Sequence, residues 1–104
     1  MGQQTLRGED ISGLREEYDR KVHERLPEQA GDEWPIDLDH CFGRVVLDTL
    51  FEDEWYTHVD GRPAYEHLSP AELRDAIEIA DRMLECGRPV VAELNERSLR
   101  WRDG

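Results

Sequence analysis

His40, Arg44 and Asp48 follow one another at intervals of four residues. On an α-helix that spacing stacks three side chains along one face. A histidine there can move a proton, an arginine can clamp an anion in its planar fork, and a carboxylate can orient either. Three arrangements are open to such a stripe. It can be a buried polar network that fixes the register of neighbouring helices. It can face solvent and form helix pairs worth about 0.2–0.5 kcal/mol each. Or it can line a functional site. Its surroundings keep the last reading alive: Leu38, Phe42, Val45, Val46 and Leu50 cover one broad side of the same segment, and Leu47 and Phe51 the other. A helix apolar nearly all round is a central one, and a partly desolvated Arg–Asp pair within it needs a partner.

Other chemistry is weaker. Asp37, Asp39, His40 and Cys41 are close in sequence, and His58 with Asp60 could approach them. Neighbouring helical residues point in different directions, however, and no H-E-x-x-H spacing is present, so no metal site is expected. Cys41 diverges from His40 by about 100° around a helix and reads as a small packing residue. His23 and His67 read as surface or edge residues. There is no glycine-rich phosphate loop and no G-x-S-x-G. Arg88, Arg97, Arg100 and Arg102 make the C-terminal segment mildly basic, but Glu93 and Glu96 interrupt them. A nucleic-acid site gathers its bases on one face, so this pattern speaks against one.

Four helical patterns would carry these residues. Ile11, Leu14, Tyr18, Val22 and Leu26 recur at steps of three and four, and Pro27 is expected to end that helix. Trp34-Pro35 reads as extended. A second helix is expected from Asp37 or Asp39 to about Phe51. Residues 52–68 are ambiguous, apart from a turn at Asp60-Gly61-Arg62-Pro63 and a helical turn near Ala64–Leu68. Ser69-Pro70-Ala71-Glu72 is a capping box with proline at the first helical position. It opens a third helix that buries Leu73, Ala76, Ile77, Ala80, Met83 and Leu84 and stops at Gly87. Arg88-Pro89 starts a fourth, with Val90, Val91, Leu94, Ser98 and Trp101 on one side. Trp34, Trp55, Tyr56 and Tyr65 fall in or near loops, where they are expected to plug the ends of a small core, the other reading being that they line a ligand or partner surface. No two-residue alternation of strand length occurs. The expected fold is therefore all-α, a compact bundle of four main helices with a short fifth, formed by one domain over residues 10–102 behind a loose tail at 1–9.

The chain has 104 residues, 25 acidic against 13 basic, and a net charge of −12; 12 of the 13 bases are arginine and one is Lys21. The acid is spread from Glu9 to Asp103 and forms no tail, which points to a property of the whole surface. At ~1 M ionic strength the screening length falls to about 3 Å, so carboxylate repulsion is mild while their hydration persists. Adaptation to a high-salt interior is the expectation. With 38% hydrophobic and 37% charged residues, the composition borders on that of disordered chains, but the helical periodicity argues for a packed core. No apolar run reaches the ~20 residues of a membrane span. The N-terminus lacks the order of a secretory signal, and Leu6 stands where a myristoylation signal carries Ser or Thr. Cys41 and Cys86 form neither a disulfide framework nor a zinc motif. A cytoplasmic location is expected.

Two stretches, Asp39-His40-Cys41-Phe42-Gly43-Arg44-Val45-Val46-Leu47-Asp48 and Leu94-Asn95-Glu96-Arg97-Ser98-Leu99-Arg100-Trp101-Arg102, carry a resemblance, with Pro63-Ala64-Tyr65 and Leu68-Ser69 between them. The chain resembles, over roughly residues 14–102, a small family of short acidic helical proteins from halophilic archaea and bacteria whose role is uncharacterised. Members sometimes carry an acetyltransferase-related label. This chain is short for that fold and has neither strands nor a glycine-containing pyrophosphate loop, so the resemblance implies a helical domain and no activity. It adds Asn95, Ser98 and Trp101 to His40, Arg44 and Asp48 as candidate ligand-binding residues.

The expected function is a non-catalytic protein-interaction or accessory module, acting on a protein partner or as a homo-oligomer, with no cofactor and no membrane. The alternative is a small enzyme or small-molecule-binding protein using the His40/Arg44/Asp48 stripe. Three stripe residues lining a pocket would favour the alternative; full solvation, or full pairing without a cavity, would count against it.

Overall fold

The strongest local signal in the chain is also its best-formed helix start. In the structure, a computed structural model describing residues 11–103, the Ser69 hydroxyl accepts from the Glu72 N–H at 3.1 Å, and the Glu72 carboxylate accepts from the Ser69 N–H at 2.8 Å. Two N–H groups that the helix leaves without carbonyl partners are thereby satisfied. This helix, α3, spans Pro70–Cys86 and ends at Gly87, whose φ of 73° stops it. Helix α4 follows at once over Arg88–Asp103. Helix α2 spans Asp39–Phe51 and terminates where Glu52 turns left-handed at φ 54°. Leu38, expected on its apolar face, precedes the helix and is 53% exposed.

Helix α1 corrects the sequence reading. Its α-helical part Ile11–Arg20 runs into a π-helical stretch, Lys21–Arg25, and then into a last α-helical turn, Leu26–Gln29, so Pro27 lies inside the helix. Proline has no N–H and its ring collides with the carbonyl four residues back. The widened turn absorbs both effects: the Leu26 N–H reaches back to the Lys21 carbonyl, and the helix passes the proline without ending. The expected tail at 1–9 lies outside the described residues.

The fold is all-α, with four helices and no strand among the described residues. Helix α2 packs against the π stretch of α1, against α3 and against α4. Its Phe42, Val45, Val46 and Leu47 are buried together with Tyr18, Val22 and Leu26 of α1, Leu73, Ala76, Ala80 and Met83 of α3, and Val91 and Leu94 of α4. The central position expected of α2 is what the structure shows. Lys21 ties α1 to α3, holding Glu17 at 2.8 Å and Asp81 at 2.7 Å. Trp34 plugs the core as expected, edge-on to Phe42 with ring centres 6.1 Å apart. The ambiguous 52–68 segment resolves into two 3₁₀ turns, Trp55–Thr57 and Ala64–His67. The second is held to α1 by the Arg15 guanidinium, which donates to the Glu66 carbonyl at 2.7 Å. No helix is long and apolar enough to cross a membrane among the described residues.

Candidate functional site

Burial rises steeply along the stripe on α2, and the three residues part company. Asp48, at the deep end, is fully buried. Its carboxylate accepts from the Ser98 hydroxyl at 2.6 Å, from Arg102 Nε at 2.8 Å and Nη2 at 3.3 Å, and from the Trp55 backbone N–H at 3.0 Å. Ser98 is equally buried. The hydrogen bonds that Arg102 donates to Asp48 raise its pKa, outweighing the burial that opposes its charge, and its guanidinium lies 5.3 Å from the centre of the Tyr56 ring. A buried carboxylate of α2 with donors from two other elements is a lock between α2, α4 and the first 3₁₀ turn. Asp48 and Ser98 are thus fully engaged in the lock. Arg102, which sequence reasoning left out of the candidate set, supplies its charge.

Arg44 behaves differently. It donates through Nη2 to Asn95 Oδ1, a neutral acceptor on α4. Its Nε is buried with no acceptor, and no carboxylate lies within ion-pair distance among the described residues. His40, at the shallow end, has 75% of its side chain exposed, with Nδ1 3.9 Å from Asp39.

Both His40 and Arg44 border a pocket of about 280 Å³ between α1, α2 and the 3₁₀ segment. Tyr18 and His23 contribute from α1, Gly43 and Leu47 from α2, and Trp55, Arg62, Pro63, Ala64 and Tyr65 from the segment after α2. The Tyr18 and Tyr65 rings stack, with centres 5.4 Å apart and planes 26° from parallel. His23, expected at the surface or edge, is half-buried and stands edge-on to Tyr18 at 6.0 Å, its Nδ1 3.3 Å from Asp39. The Arg62 guanidinium covers the Trp55 ring at 5.2 Å and likewise has no carboxylate partner among the described residues. Burial, then the nearby Tyr65, push the Tyr18 phenol well above the ordinary tyrosine value. Burial, then Asp19 and Glu66, raise that of Tyr65. Both rings therefore present neutral O–H groups near neutral pH.

Gly43 explains part of the pocket's room. It is a buried residue in the middle of a helix, where glycine costs about 1 kcal/mol relative to alanine. A Cβ built there would meet only the His23 ring, at an ordinary 3.7 Å. Packing does not demand a glycine; the missing methyl leaves space on the pocket side of α2.

Compared with known protein families, curated proteins and solved structures, the chain finds no match in any of the three.

The structure therefore divides the sequence-derived candidates into three groups. His40 and Arg44 border the pocket, and Asn95 holds Arg44. Asp48 and Ser98 form the buried lock. Trp101 lies apart, in a surface cavity with Glu52, Arg97 and Arg100. Tyr18, His23 and Arg62 were missed as site residues because each comes from another element; Trp55 and Tyr65 were expected chiefly as core plugs, with a ligand surface as the other reading. Gly43 was the available signal: a glycine between Phe42 and the buried Val45-Val46 pair is out of place in a helix unless something occupies the room.

Proposed function

We propose that this chain is a small-molecule-binding domain whose pocket between α1, α2 and the 55–67 segment takes a small organic anion. One observation carries the reading. The pocket is bordered by Arg44 and Arg62, neither with a carboxylate partner among the described residues, in a chain whose net charge is −12; its two histidines, His23 and His40, share Asp39. Acidic groups are abundant everywhere else, and two arginines without acidic partners are what an incoming anion would complete.

Binding without chemistry is the better-supported form. The lining holds no serine, threonine, cysteine or lysine nucleophile and no carboxylate base, so carboxylate-assisted catalysis and attack by those four side chains lack their parts. An interaction module has less behind it: the exposed large hydrophobics among the described residues are Leu38, Tyr56 and Leu99, each on a different element. The dispersed acid and two free cysteines support a cytoplasmic setting of high salt, in keeping with the halophilic family that the sequence resembles.

The test is a thermal-shift panel of small organic anions against the protein and its Arg44→Gln/Arg62→Gln double variant. A ligand at 100 times its Kd stabilises the folded state by about 2.7 kcal/mol. At least one anion is expected to raise the wild-type melting temperature and leave the variant unmoved. Equal shifts in both proteins, or none in either, would remove the reading.

A further inference from the structure

We infer that the occupant is an aromatic carboxylic acid: a planar ring system of one or two fused rings bearing a single carboxylate. This rests on the anion-binding reading above and narrows it to a chemical class.

The head group follows from the donors. A phosphate is ordinarily cradled by converging backbone N–H groups at a glycine-rich turn or an open helix N-terminus. Near this pocket the N-terminus of α2 offers only part of such a cradle, because its Cys41 and Phe42 N–H groups both donate to the Leu38 carbonyl. Asp39 in its first turn adds negative charge there. What remains are two guanidinium forks, whose planar geometry matches a carboxylate. Arg44 is oriented by Asn95, and the Arg62 guanidinium lies over the Trp55 ring.

The body follows from the walls. Tyr18, Tyr65 and Trp55 offer three ring systems, and Leu47, Pro63 and Ala64 fill between them. Aromatic pairs gain from offset or edge-to-face contact beyond their buried area. The volume of about 280 Å³ gives room for one or two rings. The glycine at position 43 leaves the α2 side of this space open. High salt sharpens the choice. With a screening length of only about 3 Å at ~1 M salt, long-range attraction to two arginines is lost. Affinity must then come from direct hydrogen bonds and apolar contact, and an acetate or a free phosphate has too little of the second.

Isothermal titration of the folded protein in one fixed salt would decide it, with indole-3-acetate and benzoate as aromatic acids. Acetate and inorganic phosphate would serve as bare anions, and indole-3-ethanol as the neutral ring. An aromatic acid is expected to bind at least roughly tenfold tighter than either bare anion or the neutral ring, the scale set by one charge-assisted hydrogen bond. The same acid is expected to bind at least roughly tenfold more weakly to Arg44→Gln and unchanged to Arg100→Gln, which alters the separate Trp101 cavity. If acetate or phosphate binds as well as the aromatic acids, the class assignment falls while the anion reading stands. If the neutral ring binds equally, or nothing binds, both fall.

Discussion

Gly43 and Asp48 are five positions apart on one helix and answer to different demands. Gly43 sacrifices helix propensity for space beside the pocket. Gly43→Ala is therefore expected to leave the fold intact, or to stabilise it by up to about 1 kcal/mol, while a methyl enters the cavity near His23 and weakens ligand binding. Chemical denaturation and titration on the same sample would check the pair of outcomes; a loss of stability would mean the glycine serves packing instead. Asp48 belongs to the scaffold. Arg102→Met leaves its buried carboxylate with the Ser98 and Trp55 donors alone. Because hydrogen bonds to charged groups contribute about 1.5–3 kcal/mol, the melting temperature should fall by on the order of 10 °C. Since the Trp55 N–H hangs from the same carboxylate, the indole fluorescence should shift as well.

At the scale of elements, the local signals were legible and the detours were not. The capping box at Ser69 and Glu72 and the stop at Gly87 are written in residues that act on their own backbone. Pro27 is written there too, but its effect is decided elsewhere. Val22 and Leu26, in the turn before it, are fully buried, and keeping both in the core favours a widened turn over a broken helix. The same holds for the site. A spacing of four told that His40, Arg44 and Asp48 share a side of α2; it could not tell that the side descends from solvent to core. Arg62 and Tyr65 reach the pocket only because the second 3₁₀ turn folds back onto α1. Helix α1 also carries the alkaline limit of the fold. Tyr18, Tyr65 and Lys21 all have raised pKa values, Tyr18 and Tyr65 chiefly through burial, and Lys21 because the hydrogen bonds and charges of Asp81 and Glu17 outweigh its burial. A raised folded-state pKa contributes stability that is complete below the unfolded value and is lost as pH climbs through the folded one. Melting temperature should hold up to about pH 10, near the ordinary tyrosine value, and fall above it. Tyr18→Phe should make the fall shallower; an unchanged profile would locate the alkaline weakness outside α1.

For the whole molecule, the charge of −12 coats a packed core and leaves a basic pocket within it. Screening should stabilise the coat: the melting temperature should rise between about 0.1 and about 2 M KCl as carboxylate repulsion is damped, and a flat or falling trend would contradict adaptation to salt. The pocket should keep its ligand in the same salt, because its arginines act at contact distance. The most direct measurement is a ¹H–¹⁵N NMR titration with indole-3-acetate in concentrated KCl, following the Gly43 amide, the Trp55 indole and the side-chain signals of Arg44 and Arg62. The account predicts saturating shifts concentrated on those four residues. Shifts gathered instead around Arg97, Arg100 and Trp101, or no saturable shift at all, would contradict it.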